Sequence, residues 1–411
     1  MDNAALSVGL QQLTNSGNVL FLLLGSILVF SMHAGFAFLE VGSVRKKSQV
    51  NALVKIITDW GFSTIVYFLI GFPLAYGISF LRPAAELLGS NQGFDIIHFF
   101  FLLTFAACIP AIISGGIAER AKFWPQSIAG AILVAFAYPI FESFVWGKNS
   151  LLGQPGCWLS GITGGIPFHD YAGSVVVHSI GGWMALPAII ILGPRLKRYV
   201  NGESFGIKVS NIPLLALGSW LLCVGWFGFN VVSAGQLSSI SGLVAVNSLM
   251  AMVGGIITAL IVSKNDVTFI HNGALAGLIA VCSGSDVMHP LGALIVGGIA
   301  AFIFVKLFYV ETEIFKIDDV LGVWPLHGVA GTWGGIACGI FGMKMFGGLG
   351  GVSLLAQIIG SLAAVIFALL SGWIVYTILN KTMGLRLSEH DEFMGPDLSI
   401  HNIEAYPEES L

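Results

Sequence analysis

The chain has 411 residues, of which 56% are hydrophobic and only 10% are charged, and its formal net charge is −4. A soluble globule of this length cannot hide so much apolar surface, because surface-to-volume scaling leaves any globule a largely polar skin. The composition therefore excludes a soluble protein and predicts that lipid covers the outside of the fold. No nucleic-acid partner is expected.

Eleven apolar stretches predict membrane-spanning helices, each of which needs about 20 mainly apolar residues. The eighth stretch is short, and the fourth and tenth have ragged ends. We predict an all-α polytopic membrane protein with eleven transmembrane helices. The stretches lie at residues 18–42, 51–80, 97–117, 124–145, 173–194, 211–232, 241–263, 271–285, 289–309, 324–342 and 352–380.

The basic residues indicate the topology, since cytoplasmic loops carry an excess of Lys and Arg. They cluster after the odd-numbered stretches, whereas the other side has only Arg82, Lys148 and Lys344. We therefore predict an N-terminus outside the cell and a cytoplasmic C-terminus. Residues 1–380 form one predicted membrane domain, and the polar, acidic tail at 381–411 is predicted to be cytoplasmic and exposed.

A weak internal repeat surrounds two histidines. His178 lies in VVVHSIGGW and His327 in PLHGVAGTWGG, and in both segments glycine follows four residues later. The segments are five stretches apart, and a repeat with an odd number of spans must insert in opposite orientations, as in inverted-repeat transporters. We predict two inverted five-helix repeats, at about 18–194 and 211–342, plus a final helix.

The cysteines and the N-terminus indicate no further chemistry. The five cysteines are scattered without a CxxC spacing, so neither a metal site nor a disulfide framework is indicated. We expect no cofactor. The N-terminus has no basic segment before its apolar stretch, so a cleaved signal peptide is not expected.

His178 and His327 are the first candidate functional residues, because ionisable residues at membrane depth are costly and usually functional. A neutral imidazole pair can share one N–H between its nitrogens and relay protons. The alternative is axial ligation of haem. Haem would need a wide apolar cleft between the helices, and the flanking glycines favour close contact instead.

Asp170 lies just before the fifth stretch, eight residues before His178. That spacing is roughly 12 Å along a helix. As a helix N-cap its role would be structural. A carboxylate there would also raise the local affinity for a cation.

Several aromatic residues map to the predicted outer ends of the helices. Phe101 and Phe105 are four residues apart, Phe229 and Ser233 have the same spacing, and Trp146 ends the fourth stretch. Such aromatic residues usually belong to the core or to the interfacial belt. Together with one hydroxyl they also make a plausible cup for a small cation, since a desolvated cation–π contact is worth about 2 kcal/mol or more.

The motifs around these residues resemble those of the Amt/Mep/Rh ammonium transporter family. They occur in the family's order, and the resemblance extends over nearly the whole chain. The Trp and Ser are typical of the Amt branch, since Rh proteins lack the external aromatic site. The motifs are FFLLTFAA, GGIAERAKF, FVWG, DYAGSVVVH, WFGFNVVSAG, the aspartates at 318–319 and HGVAGTWG.

The resemblance implies a role for each candidate. Phe105, Trp146 and Ser233 would form an outer ammonium site that Asp170 supports. Phe105 and Phe229, with Phe101 beside them, would line a gate. His178 and His327 would line a narrow pore. The resemblance also implies a transporter of ammonium or ammonia rather than an enzyme, a homotrimer in the cell membrane, and a PII-type signal protein as a partner at the cytoplasmic face.

Some positions depart from the family pattern. Lys148 follows FVWG where relatives usually have glycines, and its charge should disfavour cation recruitment. Pro110 should kink the third helix, because proline removes one backbone hydrogen bond. The tail has GPD where GLD is common. An ammonium sensor of the same fold, which signals through its C-terminal region with little flux, therefore remains an alternative to a transporter.

Overall fold

The computed structural model describes residues 3–410, and they form a helical bundle. Across those residues, nine helices are long and apolar enough to cross a membrane. They are helices 1 (Leu6–Ser43), 2 (Lys46–Tyr76), 3 (Asn91–Ile117), 4 (Phe123–Val145), 5 (Ser174–Leu192), 6 (Ile212–Val232), 7 (Ile240–Val262), 9 (Pro290–Ile314) and 11 (Leu354–Met383).

The two remaining predicted stretches are also helical but do not reach that length and apolarity. Helix 8 is the shorter apolar helix Val267–Val281. Helix 10 begins as a π-helix at Trp324–Val329 and continues as an α-helix at Ala330–Phe341. The polytopic helical membrane fold is therefore confirmed. The count of eleven spans stays a prediction.

Short elements connect these helices. Helices Ala84–Gly89 and Trp158–Ile162 lie in the links that follow helices 2 and 4. The strands Tyr199–Val200 and Glu203–Ser204 form a small antiparallel hairpin between helices 5 and 6, in which Tyr199 pairs with Ser204.

Helix 11 has one face of exposed apolar side chains that suits lipid and other faces that pack into the core of the bundle. Side chains at every fourth position are more than half exposed: Leu362, Ile366, Leu370, Ile374 and Ile378. Small residues and one tyrosine on other faces are buried: Ala364, Ala368, Gly372 and Tyr376. A stripe of exposed apolar side chains at helical spacing is costly in water and favourable in lipid.

Glycines let the helices approach one another closely. A Cβ added at Gly218 of helix 6 would lie 2.2 Å from the Leu39 nitrogen of helix 1. A Cβ added at Gly297 of helix 9 would lie 2.0 Å from the Ala251 oxygen of helix 7. The abundance of glycine thus reflects backbone contact between membrane helices, which small residues permit.

The predicted irregularity of helix 3 is present. The helix is interrupted at Ala107, between the segments Phe94–Ala106 and Cys108–Ile117. Pro110 lies at the start of the second segment and has no N–H for the carbonyl four residues earlier.

The tail is only partly exposed, which differs from the sequence prediction. Its helices Glu389–Met394 and Pro396–His401 pack against the loops that the topology places in the cytoplasm. The Asp397 carboxylate accepts hydrogen bonds from the backbone N–H groups of Val50 (3.0 Å) and Asn51 (2.8 Å). Acidic side chains of the tail satisfy backbone donors at the start of helix 2, which explains why Asp397 is buried.

Candidate functional site

A cavity of about 140 Å³ opens at the end of the bundle that the predicted topology places outside. It contains four of the predicted binding and gate residues: Phe101, Phe105, Trp146 and Ser233. Helices 3, 4 and 6 thus bring their outer ends together, although these residues are far apart in the sequence. The remaining lining residues are Tyr76, His98, Leu102, Tyr171 and Gly235.

Hydrogen bonds fix the polar atoms of the cavity wall. The Trp146 indole N–H donates to the backbone oxygen of Asp170 at 2.7 Å. The Ser233 hydroxyl donates to the backbone oxygen of Phe229 at 2.8 Å. The indole therefore offers its ring face rather than its N–H, and the Ser233 oxygen keeps lone pairs that can accept. The cavity can bind a small cation that carries N–H donors.

A stacked pair of rings adjoins the cavity, and one of the two, Phe105, lines it. The Phe105 and Phe229 centroids are 3.9 Å apart with an interplanar angle of 9°, and both side chains are buried. The Trp146 ring meets Phe105 edge to face at 6.0 Å. Phe101 lies 4.8 Å from Phe105 on the same helix. The two predicted gate residues are therefore stacked on each other, and their role as a gate stays a prediction.

The two predicted histidines meet next to this stacked pair. The His178 ring centroid lies 5.4 Å from that of Phe229, and the Nδ1 atoms of His178 and His327 are 3.3 Å apart. Both side chains are buried. At this distance one nitrogen donates its N–H to the other, so only one of the two Nδ1 atoms carries a proton. The direct contact between the rings leaves no space for a haem between them.

The two histidines lie in similar local structures. His178 belongs to the π-helical segment Ser174–Ser179 and His327 to Trp324–Val329. Short π-helical segments inside helices occur frequently at functional sites. A Cβ added at Gly182 would lie 2.0 Å from the Gly328 nitrogen. The two helices therefore cross at backbone contact, one turn after His178 and directly after His327, which places the imidazoles side by side.

Asp170 lies behind the cavity wall. Its carboxylate accepts hydrogen bonds from the N–H groups of Val175 (2.9 Å) and Val176 (2.7 Å) and from the Ser283 hydroxyl (2.6 Å). Burial raises the pKa of Asp170 above its ordinary value, although these hydrogen bonds lower it. The carboxylate caps the start of helix 5, and the backbone oxygen of the same residue holds the Trp146 indole.

Sequence reasoning missed three polar aromatic residues of the cavity: Tyr76, His98 and Tyr171. Each lies near a helix end on the same side as Trp146, which is the signal that could have found them. Their type alone did not distinguish them from the interfacial aromatic belt.

Comparisons with known proteins identify the family and the fold of this chain. Residues 20–406 match the Ammonium Transporter Family. Ammonium transporter Amt2 of Methanocaldococcus jannaschii is 43% identical over 98% of this chain and 94% of its own length. A solved structure named Sensor Amt Protein has a TM-score of 0.86 at 31% identity and covers 95% of this chain and 99% of that one.

A more distant structure, Candida albicans Mep2, shares the fold with a TM-score of 0.78 at 23% identity and covers 91% of this chain and 87% of that one. The match to the family extends from helix 1 through the tail and includes every segment that forms the cavity, the gate and the histidine pair. This multi-pass membrane protein belongs to the ammonium transporter family, a family of membrane transporters rather than of enzymes.

Proposed function

We propose that this protein carries ammonium across the membrane by recruiting NH4+ at the outer cavity and passing NH3 through the histidine-lined pore. One observation carries the proposal. The rings of Trp146, Phe105, Phe229, His178 and His327 form a continuous series in which neighbouring centroids are 3.9 to 6.0 Å apart. In this proposal a cation cup, a gate and a pair of proton-exchanging side chains follow one another along this series of rings.

The energies explain why ammonium must lose a proton on this path. Moving a bare cation into apolar surroundings costs tens of kcal/mol by idealised Born solvation. A cation–π contact returns only about 2 kcal/mol. The cavity can therefore recruit NH4+ but cannot carry it through the gate. Neutral NH3 crosses an apolar pore cheaply, and K+ has no proton to lose, which gives a physical basis for selectivity.

The histidine pair offers a route for the proton. The Nδ1 atoms of His178 and His327 are 3.3 Å apart, so a proton can pass from one ring to the other. If the released proton follows this route, net transport is electrogenic. The histidine pair would then conduct the proton rather than the ammonia.

Other assignments belong to the same proposal. We propose that the protein is a homotrimer in the cell membrane with an outer N-terminus, and that a PII-type signal protein binds its cytoplasmic face. The family resemblance supports the trimer and the partner, and the one-sided distribution of Lys and Arg supports the orientation. Cross-linking of the purified protein in detergent would test the homotrimer. Pull-down with a PII-type protein would test the partner.

The decisive experiment measures ammonium-evoked current from proteoliposomes on a solid-supported membrane. The wild type should give a saturable current that His178→Ala abolishes. His390→Ala, which removes an exposed tail histidine, is the matched control and should leave the current unchanged. An unchanged current in His178→Ala would exclude the histidine route. Absent current together with ammonium binding that requires Trp146 would instead favour a sensor.

A further inference from the structure

Glu142 is a buried carboxylate that the ring series does not use. It lies on helix 4, four residues before Trp146, which places it about one turn below the cavity. Its side chain is fully buried. Within residues 3–410, no Lys, Arg or His forms a salt bridge with it. A buried carboxylate without a cation partner is costly, so its presence beside a cation site requires an explanation.

Tyrosine hydroxyls hold this carboxylate in place. Tyr67 donates to both oxygens of Glu142, at 3.0 Å to Oε1 and 2.8 Å to Oε2. Tyr76 donates to Oε1 at 3.1 Å. Both tyrosines lie on helix 2 and both are largely or fully buried. Two O–H donors directed at one carboxylate are suited to a negative charge.

Tyr76 connects this carboxylate to the cavity. It lines the cavity that contains Trp146 and Ser233, and it donates its proton to Glu142. A hydroxyl that donates still has oxygen lone pairs that can accept a hydrogen bond. A cation with N–H groups in the cavity can therefore donate to Tyr76 while Tyr76 donates to Glu142.

Two buried carboxylates lie near this cavity, those of Glu142 and Asp170. Asp170 is held by backbone N–H groups of helix 5 and by the Ser283 hydroxyl, whereas Glu142 accepts from Tyr76, which lines the cavity. Tyr138, one turn earlier on helix 4, is a third buried tyrosine. The His98 ring lies 5.7 Å from that of Tyr76. The exposed Lys148 covers Gly77, where an added Cβ would lie 2.8 Å from its Nζ. The negative charge of Glu142 can offset the repulsion between Lys148 and an arriving cation. It can thus compensate for the lysine that departs from the family pattern at position 148.

We propose that Glu142 is the proton acceptor for ammonium bound in the outer cavity and that Tyr76 is the relay. NH4+ gives one proton to the Tyr76 oxygen, while Tyr76 gives its own proton to Glu142 Oε1. One N–H bond and the original Tyr76 O–H bond break, and two O–H bonds form. The products are NH3 and a neutral Glu142, with Tyr76 restored. Before the next cycle Glu142 must pass this proton on to the histidine route of the proposed function, so that the carboxylate is again ionised and net transport stays electrogenic. The inference rests on the proposed function and assigns its deprotonation step.

The first test is the ammonium-evoked current of Glu142→Gln as a function of pH. We expect the maximal current to fall about tenfold or more, since a positioned acid–base group contributes roughly 100-fold or more to a rate. The half-saturating concentration should change less, and the pH dependence of the residual current should differ from that of the wild type. Glu142→Asp should restore part of the current.

Tyrosine variants supply the matched comparison. Tyr76→Phe removes the relay hydroxyl and should lose as much current as Glu142→Gln. Tyr67→Phe removes a hydroxyl from the same carboxylate, but Tyr67 does not line the cavity, so it should retain most of the current. Equal currents in the wild type and Glu142→Gln would overturn the role of Glu142 but would leave the proposed transport function intact. Absent current in the wild type would count against the proposed function instead.

Infrared difference spectroscopy tests the step without transport. Adding ammonium to wild-type protein should produce the C=O stretching band of a protonated carboxyl group, and Glu142→Gln should lack that band. A purely structural Glu142 would give no such band in either protein, which would overturn the assignment. As a control, each variant should elute as a single species from a size-exclusion column. A missing infrared band would then not reflect unfolding of the variant.

Discussion

Asp170 and Asp319 each lie eight residues before one of the paired histidines, and each caps the helix that carries that histidine. Asp170 accepts from the N–H groups of Val175 and Val176. Asp319 accepts from the N–H of Trp324 at 2.8 Å. The predicted topology places the two caps on opposite sides of the membrane. A shared cap, π-helical segment and glycine crossing support the proposed inverted repeat, because a twofold relationship would generate all three.

Removal of the Asp170 carboxylate should destabilise the protein. In Asp170→Ala the buried Val175 and Val176 N–H groups lose their acceptor, and each unsatisfied buried donor costs about 1 to 3 kcal/mol. Asp170→Asn keeps one acceptor oxygen and should lose less stability than Asp170→Ala. Thermal unfolding in detergent would measure both. Asp266→Ala, which removes an exposed cap of helix 8, is the control and should cost only about 1 kcal/mol.

Asp319 should make stability depend on pH. Burial raises the pKa of Asp319 to about 6, although hydrogen bonds from nearby backbone N–H groups lower it. The folded state thus favours the protonated form more than the unfolded state does, so this contribution is present at low pH and is lost as pH rises through about 6. Relative to Asp319→Asn, the wild type should become less stable between pH 4 and pH 7. A constant difference in unfolding temperature between the two proteins would contradict this.

Gly182→Ala should disrupt the contact between the histidine helices. Its Cβ would lie 2.0 Å from the Gly328 nitrogen and 2.5 Å from the Gly328 Cα, and backbone atoms cannot move aside as a flexible side chain can. Overpacking of this kind costs about 1 to 3 kcal/mol or more. We expect a lower unfolding temperature in detergent and loss of ammonium-evoked current. Gly61→Ala on helix 2, where nothing lies within 4 Å of the added Cβ, should be neutral or stabilising.

Trp146→Leu should weaken ammonium recruitment. The substitution removes the ring that meets Phe105 edge to face at the cavity, and a cation–π contact of about 2 kcal/mol corresponds to about a 30-fold change in affinity. The half-saturating ammonium concentration for the current should rise accordingly. Trp158→Leu changes an exposed tryptophan in the link that follows helix 4. It should leave the half-saturating concentration unchanged. Similar values for the two variants would argue against a cation site at Trp146.

Much of the candidate site could be predicted from the sequence. Phe105, Trp146 and Ser233 line one cavity, and His178 and His327 are in contact. Their motifs identified them because each occurs at a helix end or within an apolar stretch, where a polar or aromatic residue is distinctive. Asp170 was expected to cap helix 5 or to support the ammonium site. Its carboxylate accepts from N–H groups at the start of helix 5, and its supporting role at the cavity stays a prediction.

Glu142 and its tyrosines could not be found in the same way. Tyr67, Tyr76 and Glu142 come from two helices that are not adjacent in the sequence, and each has an ordinary local pattern. Only the packing of helix 2 against helix 4 brings the hydroxyls to the carboxylate. The partial burial of the tail has the same origin, since Asp397 is buried by contact with the start of helix 2.

The sequence by itself determined the membrane class, the helical stretches and the charge asymmetry of the loops, because hydropathy and Lys/Arg content act locally along the chain. It also determined the family, since the motifs are contiguous. The tertiary structure decided which side chains share a cavity, which ring stacks on which, and which buried carboxylate accepts a hydrogen bond from the cavity wall. Those relationships depend on helix crossings at backbone contact, such as that of Gly182 with Gly328, and a linear pattern does not specify where two helices cross.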